Sequence, residues 1–337
     1  MNDLKVINRF IYLFVALSCT KASTNKKGSF NNIGYSTKYY HEIGYIYTQS
    51  PIQTSVLPMA AYDMEIAAVQ CLSTCQKEAS SKDDSRCVAA NFNTKNGTCQ
   101  LFSKQPLYRY DKNVIRDKQW MLYMEKALKY PRDCKDITID FKNPFYRSFD
   151  VQPDQHKPPF TVRCGNGNKR PTYIQIRQKG NSLNFQNLTW AQYRNGFRGK
   201  SSGQSYYWIG NENLYTLTNS RNYSVRFHCH HGNWSHIRYS RFSVASKENF
   251  YRLNVGIVTK DEDNMTDAIS GTANEEQNIN GSPFLTRENV TENACARQGG
   301  WWYKNCTNAN FNTANEEMFW GSLRCKSTTI RVYRVNA

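Results

Sequence analysis

The sequence predicts an α+β chain built from disulfide-stapled units, and three observations carry that reading. Apolar residues at helical spacing (Met64, Ala67, Ala68, Cys71, Leu72, Cys75) make an amphipathic helix over Ala61–Lys77 and set Cys71 and Cys75 on one face of it. Two short strand-like runs follow, Cys87–Asn93 and Thr98–Phe102, joined by Asn96-Gly97, a dipeptide that favours a tight hairpin. Far downstream, Cys295-Ala-Arg-Gln-Gly-Gly-Trp-Trp-Tyr-Lys-Asn-Cys306 closes a short loop around two glycines and three adjacent aromatics. A bridge across that loop contributes about 2–3 kcal/mol on the chain-entropy model. Gly299 and Gly300 let the backbone turn beside bulky rings, and core filling is the expectation for Trp302.

The chain of 337 residues is long enough for two or three domains. Its opening is basic at Lys5 and Arg9, apolar from Phe10 to Leu17, then small and polar. Residues 1–22 are therefore expected to be a secretory signal peptide, cleaved after Ala22, with cleavage after Ser18 as the rival. Loss of Cys19 turns eleven cysteines into ten, which can all pair. No later segment is apolar for long enough to cross a bilayer, so the mature protein is expected to be secreted and extracellular. Sequons at Asn96, Asn187, Asn222, Asn233, Asn264, Asn289 and Asn305 suit that compartment, as does one at Asn280 that Pro283 weakens. Residues 23–56, rich in Ser, Thr, Asn, Gly and Tyr without periodicity, read as a linker or flexible arm. The chain has no heptad run and no Gly-X-Y repeat, so no stalk encodes an oligomer.

A formal charge of +17 points to an anionic partner. No acidic residue occurs between Gln155 and Asn211, whereas Lys157, Arg163, Lys169, Arg170, Arg177, Lys179, Arg194, Arg198 and Lys200 all do. Asp261 to Glu292 reverses the balance. A solvated face is the plain reading of each run. The functional reading of the first is a basic patch for sulfated or sialylated glycans or a microbial surface. An extracellular, glycosylated chain makes nucleic acid a poor candidate.

A helix with Cys-X-X-X-Cys, followed by a hairpin with one cysteine on each strand, resembles a PAN/apple module over Leu57–Ala127. Spacing alone leaves three pairings open; the resemblance implies Cys71–Cys99 and Cys75–Cys87. Zinc ligation is disfavoured by secretion and by the lack of paired Cys-X-X-Cys knuckles. Trp120 and Met121 to Met124 are expected to complete the last strand of this helix-on-antiparallel-sheet unit.

Residues 132–337 resemble a fibrinogen C-terminal-like domain. Asp133-Cys134 matches the family opening, and Cys164 its early partner. Trp190, Tyr193 and Gly196-Phe197 fit the next motif, and Trp208-Ile-Gly-Asn-Glu212 with Leu217-Thr218 the one after. Phe250-Tyr-Arg-Leu, the Cys295–Cys306 stretch and Ile330-Arg331 complete the set. The resemblance implies an α+β domain with a twisted, largely antiparallel sheet, a loop-rich ligand subdomain, and bridges Cys134–Cys164 and Cys295–Cys306. Cys229 and Cys325 are left over and are expected to pair. Strand alternation from Tyr223 turns Val225, Phe227 and Cys229 to one face and His228 and His230 to the other, near His231 and His236. A surface cluster is the expectation there, since a shared metal lacks a specified third ligand.

Recognition domains of the fibrinogen-like family hold calcium in an Asp-X-Asp loop before the Cys-Ala motif, and calcium wants six to eight oxygens. Here Phe284–Cys295 contains no aspartate. A weak site from Glu288, Glu292 and Asn293 is the most that the loop offers, and calcium is disfavoured. The adjoining acetyl pocket of lectin-like members would, residue by residue, use Trp301, Tyr303, the Asn305–Cys306 peptide (often cis in the family) and the amides of Cys306 and Thr307. A pocket tyrosine is missing from Asn310-Phe-Asn-Thr-Ala-Asn, and a glycan on Asn289 or Asn305 would crowd the site.

The chain has no nucleophile elbow, HExxH or P-loop, so no enzyme is expected. Two binding functions remain: a fibrinogen-related lectin of innate defence that reads glycans or pathogen surfaces, or a secreted matrix or receptor ligand that binds host proteins through its apple and fibrinogen-like domains. The first is the sequence-based preference.

Overall fold

The computed structural model describes residues 40–57, 64–78, 86–126, 128–141, 146–180, 183–199, 206–259, 265–270, 278–314 and 317–335. The proposed signal peptide and the Asn264 sequon lie outside them. The chain divides into two compact units, Met1–Lys129 and Tyr130–Ala337.

The first unit is one helix on a five-stranded antiparallel sheet. Its elements are β1 (Tyr40–Tyr47), β2 (Gln53–Val56), α1 (Met64–Glu78), β3 (Ala89–Asn93), β4 (Thr98–Phe102) and β5 (Val114–Met124), with strand order β1-β5-β3-β4-β2. The helix lays Ala67, Ala68, Cys71 and Cys75 on Ala90, Phe92, Cys99 and Leu101. Cys71 is bridged to Cys99 on β4 and Cys75 to Cys87 just before β3. The other sheet face buries Tyr47, Ala89, Phe102, Leu122 and Met124. Both faces are covered, and β3 is accordingly buried along its whole length.

Reading 23–56 throughout as an arm is corrected here. β1 pairs with β5 and β2 with β4, so Tyr40–Tyr47 and Gln53–Val56 are the two edges of the sheet. Their polar sequence lacks the apolar alternation of a half-buried strand, because an edge strand is held by its backbone ladder and need not bury many side chains. Asn91, fully buried, ties the end of β1 by donating to Tyr47 O at 2.7 Å and accepting from its N–H at 3.0 Å.

Near the start of the second unit lies the buried Asp133. Tyr223 donates a 2.8 Å hydrogen bond to its carboxylate, and Arg221 and Arg334 lie 3.7 and 3.4 Å away. The strands and helices that follow are β6 (Arg147–Val151), β7 (Phe160–Cys164), β8 (Thr172–Arg177), α2 (Trp190–Asn195), β9 (Phe197–Arg198), β10 (Tyr206–Trp208), α3 (Asn211–Ser220), β11 (Tyr223–His230), β12 (Trp234–Tyr239), β13 (Phe242–Val244), β14 (Leu253–Val255), β15 (Phe284–Leu285), β16 (Trp301–Trp302), β17 (Ala309–Asn310), β18 (Met318–Trp320), β19 (Leu323–Cys325) and β20 (Ser327–Arg334). Eight of these strands make one antiparallel sheet ordered β12-β11-β20-β8-β10-β9, with β7 also on β8 and β6 on β7. The last strand therefore runs through the middle of the sheet, between β11 and β8.

Alternation on β11 buries Val225, Phe227 and Cys229 against the inner layer. Phe227 packs edge-on to Tyr239 at 5.9 Å and against Trp320 at 4.9 Å. Cys229 is bridged to Cys325, and Cys134 to Cys164. Beyond the sheet lies a region of short strands and loops whose core is a continuous aromatic cluster of Tyr193, Trp208, Phe284 and Trp302.

Candidate functional site

The Cys295–Cys306 loop is bridged, and its glycine pair sits where no side chain fits. A β-carbon on Gly299, whose φ is +127°, would lie 2.0 Å from Asn312 O; one on Gly300 would lie 2.3 Å from the Tyr193 ring. Close packing at these two points drives the next three residues inward. Trp301, Trp302 and Tyr303 are all essentially fully buried. The Trp302 indole donates to Tyr251 O at 2.9 Å.

The aromatics proposed to line a ligand pocket are thus core residues, which corrects the reading of Trp301 and Tyr303. The Tyr303 hydroxyl donates to Gly299 O at 2.7 Å and accepts from the Asn310 amide at 2.8 Å. Burial holds its pKa well above the usual tyrosine value. The segment Phe311–Thr313 is pinned from the sheet: Gln175 donates to Asn312 Oδ1 at 2.6 Å, and Arg177 donates to Phe311 O at 2.9 Å and Thr313 O at 2.7 Å. Asn312 closes the loop by donating to Gly300 O at 2.8 Å. Asn305 is exposed, Cys306 half-buried and Thr307 buried, with the Thr307 hydroxyl on Ala309 O at 2.7 Å. The Asn305–Cys306 peptide is trans.

The three candidate metal ligands are each engaged in other hydrogen bonds. The Glu288 carboxylate accepts from the backbone N–H of Trp190, the first residue of α2. Glu292 is exposed and accepts from the Thr291 hydroxyl at 2.9 Å. Asn293 is used at both ends of its amide, donating to Lys304 O at 2.5 Å and accepting from Cys295 N–H at 2.9 Å. Among the described residues no three His, Cys, Asp or Glu side chains are placed to share a metal. Of the other sequons, Asn96, Asn187, Asn222 and Asn233 are exposed and Asn289 is half-buried, its Oδ1 accepting from Thr286 N–H at 3.1 Å.

The run from Gln155 to Asn211 is not one basic patch. Arg177 is buried under Phe311 and stacks 4.4 Å from the Phe185 ring, and burial lowers its pKa to about 10, so it stays charged at neutral pH. Arg163 is 8% exposed between Tyr146 and Tyr207, at 4.6 and 4.9 Å from their rings. Arg170 binds Ile139 O at 2.8 Å and Asp140 at 3.1 Å, and Lys157 pairs with Glu212 at 3.3 Å. Strand and turn geometry sends these neighbours in sequence to different faces. The histidines also depart from expectation: His228 is only 9% exposed, with its ring 5.5 Å from that of His236, which faces it across β11 and β12.

The family model described as the C-terminal globular domain of fibrinogen beta and gamma chains matches residues 130–330, and that of the PAN domain matches 54–127. Fibrinogen-like protein 1 of Homo sapiens is 30% identical over 193 residues, covering 53% of this chain and 60% of the relative. The same protein of Mesocricetus auratus is 33% identical over 194 residues, covering 53% and 59%. Angiopoietin-1 of Canis lupus familiaris is 32% identical over 196 residues, covering 54% and 35%. The chain thus spans less than two thirds of the length of these relatives. Among solved structures, the lamprey fibrin D-dimer in complex with the peptide Gly-His-Arg-Pro-amide shares the fold, with a TM-score of 0.53 at 22% identity over 62% of this chain and 74% of that one. With the fibrinogen C-terminal family model matching more than half of its residues, the chain belongs to the fibrinogen family through its C-terminal globular domain, which a PAN domain precedes.

Proposed function

We infer that the protein is an extracellular, non-catalytic ligand whose fibrinogen-like domain binds a protein partner, with the PAN unit as a second contact surface. The observation that carries this reading is the filled loop subdomain. Trp301 and Tyr303, which would have to line an acetyl pocket, are buried inside the fold, and the Tyr303 hydroxyl is hydrogen-bonded there on both sides. The residues that would have to hold calcium serve as a helix cap and a loop brace instead. Recognition then falls to the outer surface, where extended contacts between proteins are made. Five disulfide bridges suit an oxidising compartment, and no helix among the described residues is long and apolar enough to cross a membrane. The fibrinogen-related relatives support a ligand role more than a lectin role.

The test is binding of the secreted protein to cells treated with protease or, separately, with enzymes that strip N-acetylated glycans, alongside retention on immobilised N-acetylglucosamine with calcium and with chelator. Binding abolished by protease, with no retention on the sugar, supports the reading. Retention on the sugar that chelator reverses overturns it and restores the calcium-supported lectin.

A further inference from the structure

The sheet face opposite the aromatic core carries a row of cations that sequence order conceals. Arg226 on β11 lies directly opposite Arg238 on β12 and directly opposite Arg331 on β20. Opposed side chains on antiparallel neighbours have β-carbons roughly 4.5–5.5 Å apart, and like charges so placed repel. In the next row on this face, His228 stands between His236 and Thr329; in the row after that, His230 faces Trp234. Rows on one face repeat every second residue, so about 14 Å separates the Trp234 row from the arginine row.

Arg226 and Arg331 are held in place by aromatic rings. The Arg226 guanidinium lies 5.9 Å from the Tyr333 ring and its Nε is buried with no hydrogen bond. Arg331 lies 4.8 Å from the Tyr173 ring and donates from Nε to Thr329 Oγ1 at 3.3 Å. Neither joins an ion pair among the described residues. Aromatic faces orient guanidinium planes in this way while leaving their outer N–H groups to a ligand. His228, nine-tenths buried beside them, has an Nε2 without a partner. Burial first, then Arg331, His236 and Arg226, lower its pKa to about 2, so its ring is neutral at neutral pH. At the far end Trp234 is 50% exposed, its ring 5.1 Å from that of His230.

We propose that this face binds a sulfated polysaccharide, with Arg226 and Arg331 holding a sulfate ester and Trp234 stacking on a sugar ring farther along the strand. A tetrahedral oxyanion supplies the several acceptors that two guanidinium groups need and relieves the repulsion between them. The half-exposed indole in line with the cations is what selects a saccharide over an acidic peptide. This site lies outside the Cys295–Cys306 loop and does not rest on the protein-ligand reading.

The experiment measures affinity of the intact glycoprotein for a size-defined, highly sulfated oligosaccharide, its desulfated counterpart, inorganic phosphate, inorganic sulfate and a polyglutamate peptide. Variants are Arg226→Gln/Arg331→Gln, the charge-keeping Arg226→Lys/Arg331→Lys, Trp234→Ala, and a charge-matched control, Lys247→Gln/Arg241→Gln, at exposed positions elsewhere. The glutamine pair is expected to weaken sulfated-oligosaccharide binding by at least about tenfold, and the control by less than about twofold. The lysine pair, which keeps the charge but loses the fork geometry, is expected to fall between them, and keeps the test valid if the glutamine pair fails to fold. Trp234→Ala should weaken the oligosaccharide but leave inorganic sulfate unchanged. Inorganic sulfate binding tighter than phosphate supports an ester sulfate as the group held. Equal losses in the glutamine pair and the control would show bulk charge alone and overturn the site. Polyglutamate or the desulfated sugar binding as tightly as the sulfated one would overturn the ligand class.

Discussion

Gly300 lies against the ring of Tyr193 so closely that a methyl group in place of its hydrogen would sit 2.3 Å from a ring carbon. The ring cannot retreat, because Tyr193 is fully buried and its hydroxyl donates to Phe185 O at 2.7 Å. Gly300→Ala should therefore destabilise the fibrinogen-like domain by about 2–3 kcal/mol, the usual cost of overpacking. Gly299→Ala should cost at least as much, since it adds a positive φ to a contact of 2.0 Å with Asn312 O. Urea unfolding followed by tryptophan fluorescence measures both. A loss below about 0.5 kcal/mol for either would mean that the loop is not packed as described.

Acid should act through His228. Its folded-state pKa is about 2, depressed chiefly by burial, against about 6.5 in an unfolded chain. The neutral ring is the form that the fold accepts, so its contribution is fully present above pH 6.5 and declines as pH falls towards 2. The slope is about 1.4 kcal/mol per pH unit, or about 2 kcal/mol lost between pH 6.5 and 5. His228→Gln, which cannot take up a proton there, should flatten that part of the stability curve. Parallel curves for wild type and variant over pH 5–7 would refute the assignment.

Calcium should leave the domain's stability unchanged. If Glu288, Glu292 and Asn293 held calcium, a concentration 100 times the dissociation constant would add about 2.7 kcal/mol and raise Tm by several degrees. Since these side chains are committed elsewhere, millimolar calcium or chelator should shift Tm by less than about 1 °C. Asn293→Ala should instead cost about 2 kcal/mol with or without calcium, because it removes two hydrogen bonds that brace the Lys304 and Cys295 backbone.

The Cys229–Cys325 bridge spans 96 residues, the widest separation of the five. On the loop-entropy model, closing so long a loop contributes about 4–5 kcal/mol. The double variant Cys229→Ala/Cys325→Ala should show a loss of that order in urea midpoints. A loss no greater than for Cys295→Ala/Cys306→Ala, whose loop spans 11 residues, would contradict the entropic account.

Local pattern was enough to read the helix with Cys71 and Cys75, the hairpin turning at Asn96-Gly97, and the alternation of Val225, Phe227 and Cys229. Each is a short-range consequence of backbone period, and period is written in consecutive residues. The motif around Gly299-Gly300-Trp301-Trp302 was equally legible as a signature, though not in its role: a motif records that aromatics are needed without recording which way they face. Burial of Trp301 and Tyr303 depends on Asn310 and Asn312, which reach the loop from the segment after it, and on Gln175, which holds Asn312 from the sheet. The edge strands Tyr40–Tyr47 and Gln53–Val56 escaped because backbone pairing to a remote partner leaves little trace in side-chain type.

Charge shows the same division from the other side. By itself the sequence determined the α+β class and a strongly basic chain through residue types and short spacings, and the family, with the cysteine pairings it implies, through the resemblance of its motifs. Only the tertiary structure decided where the positive charge acts. It buried Arg163 and Arg177, neighbours in an acid-free run, and set Arg226, Arg238 and Arg331 side by side although they are scattered along the chain. A sheet brings residues together by strand register, and register between distant strands is settled by the whole fold at once.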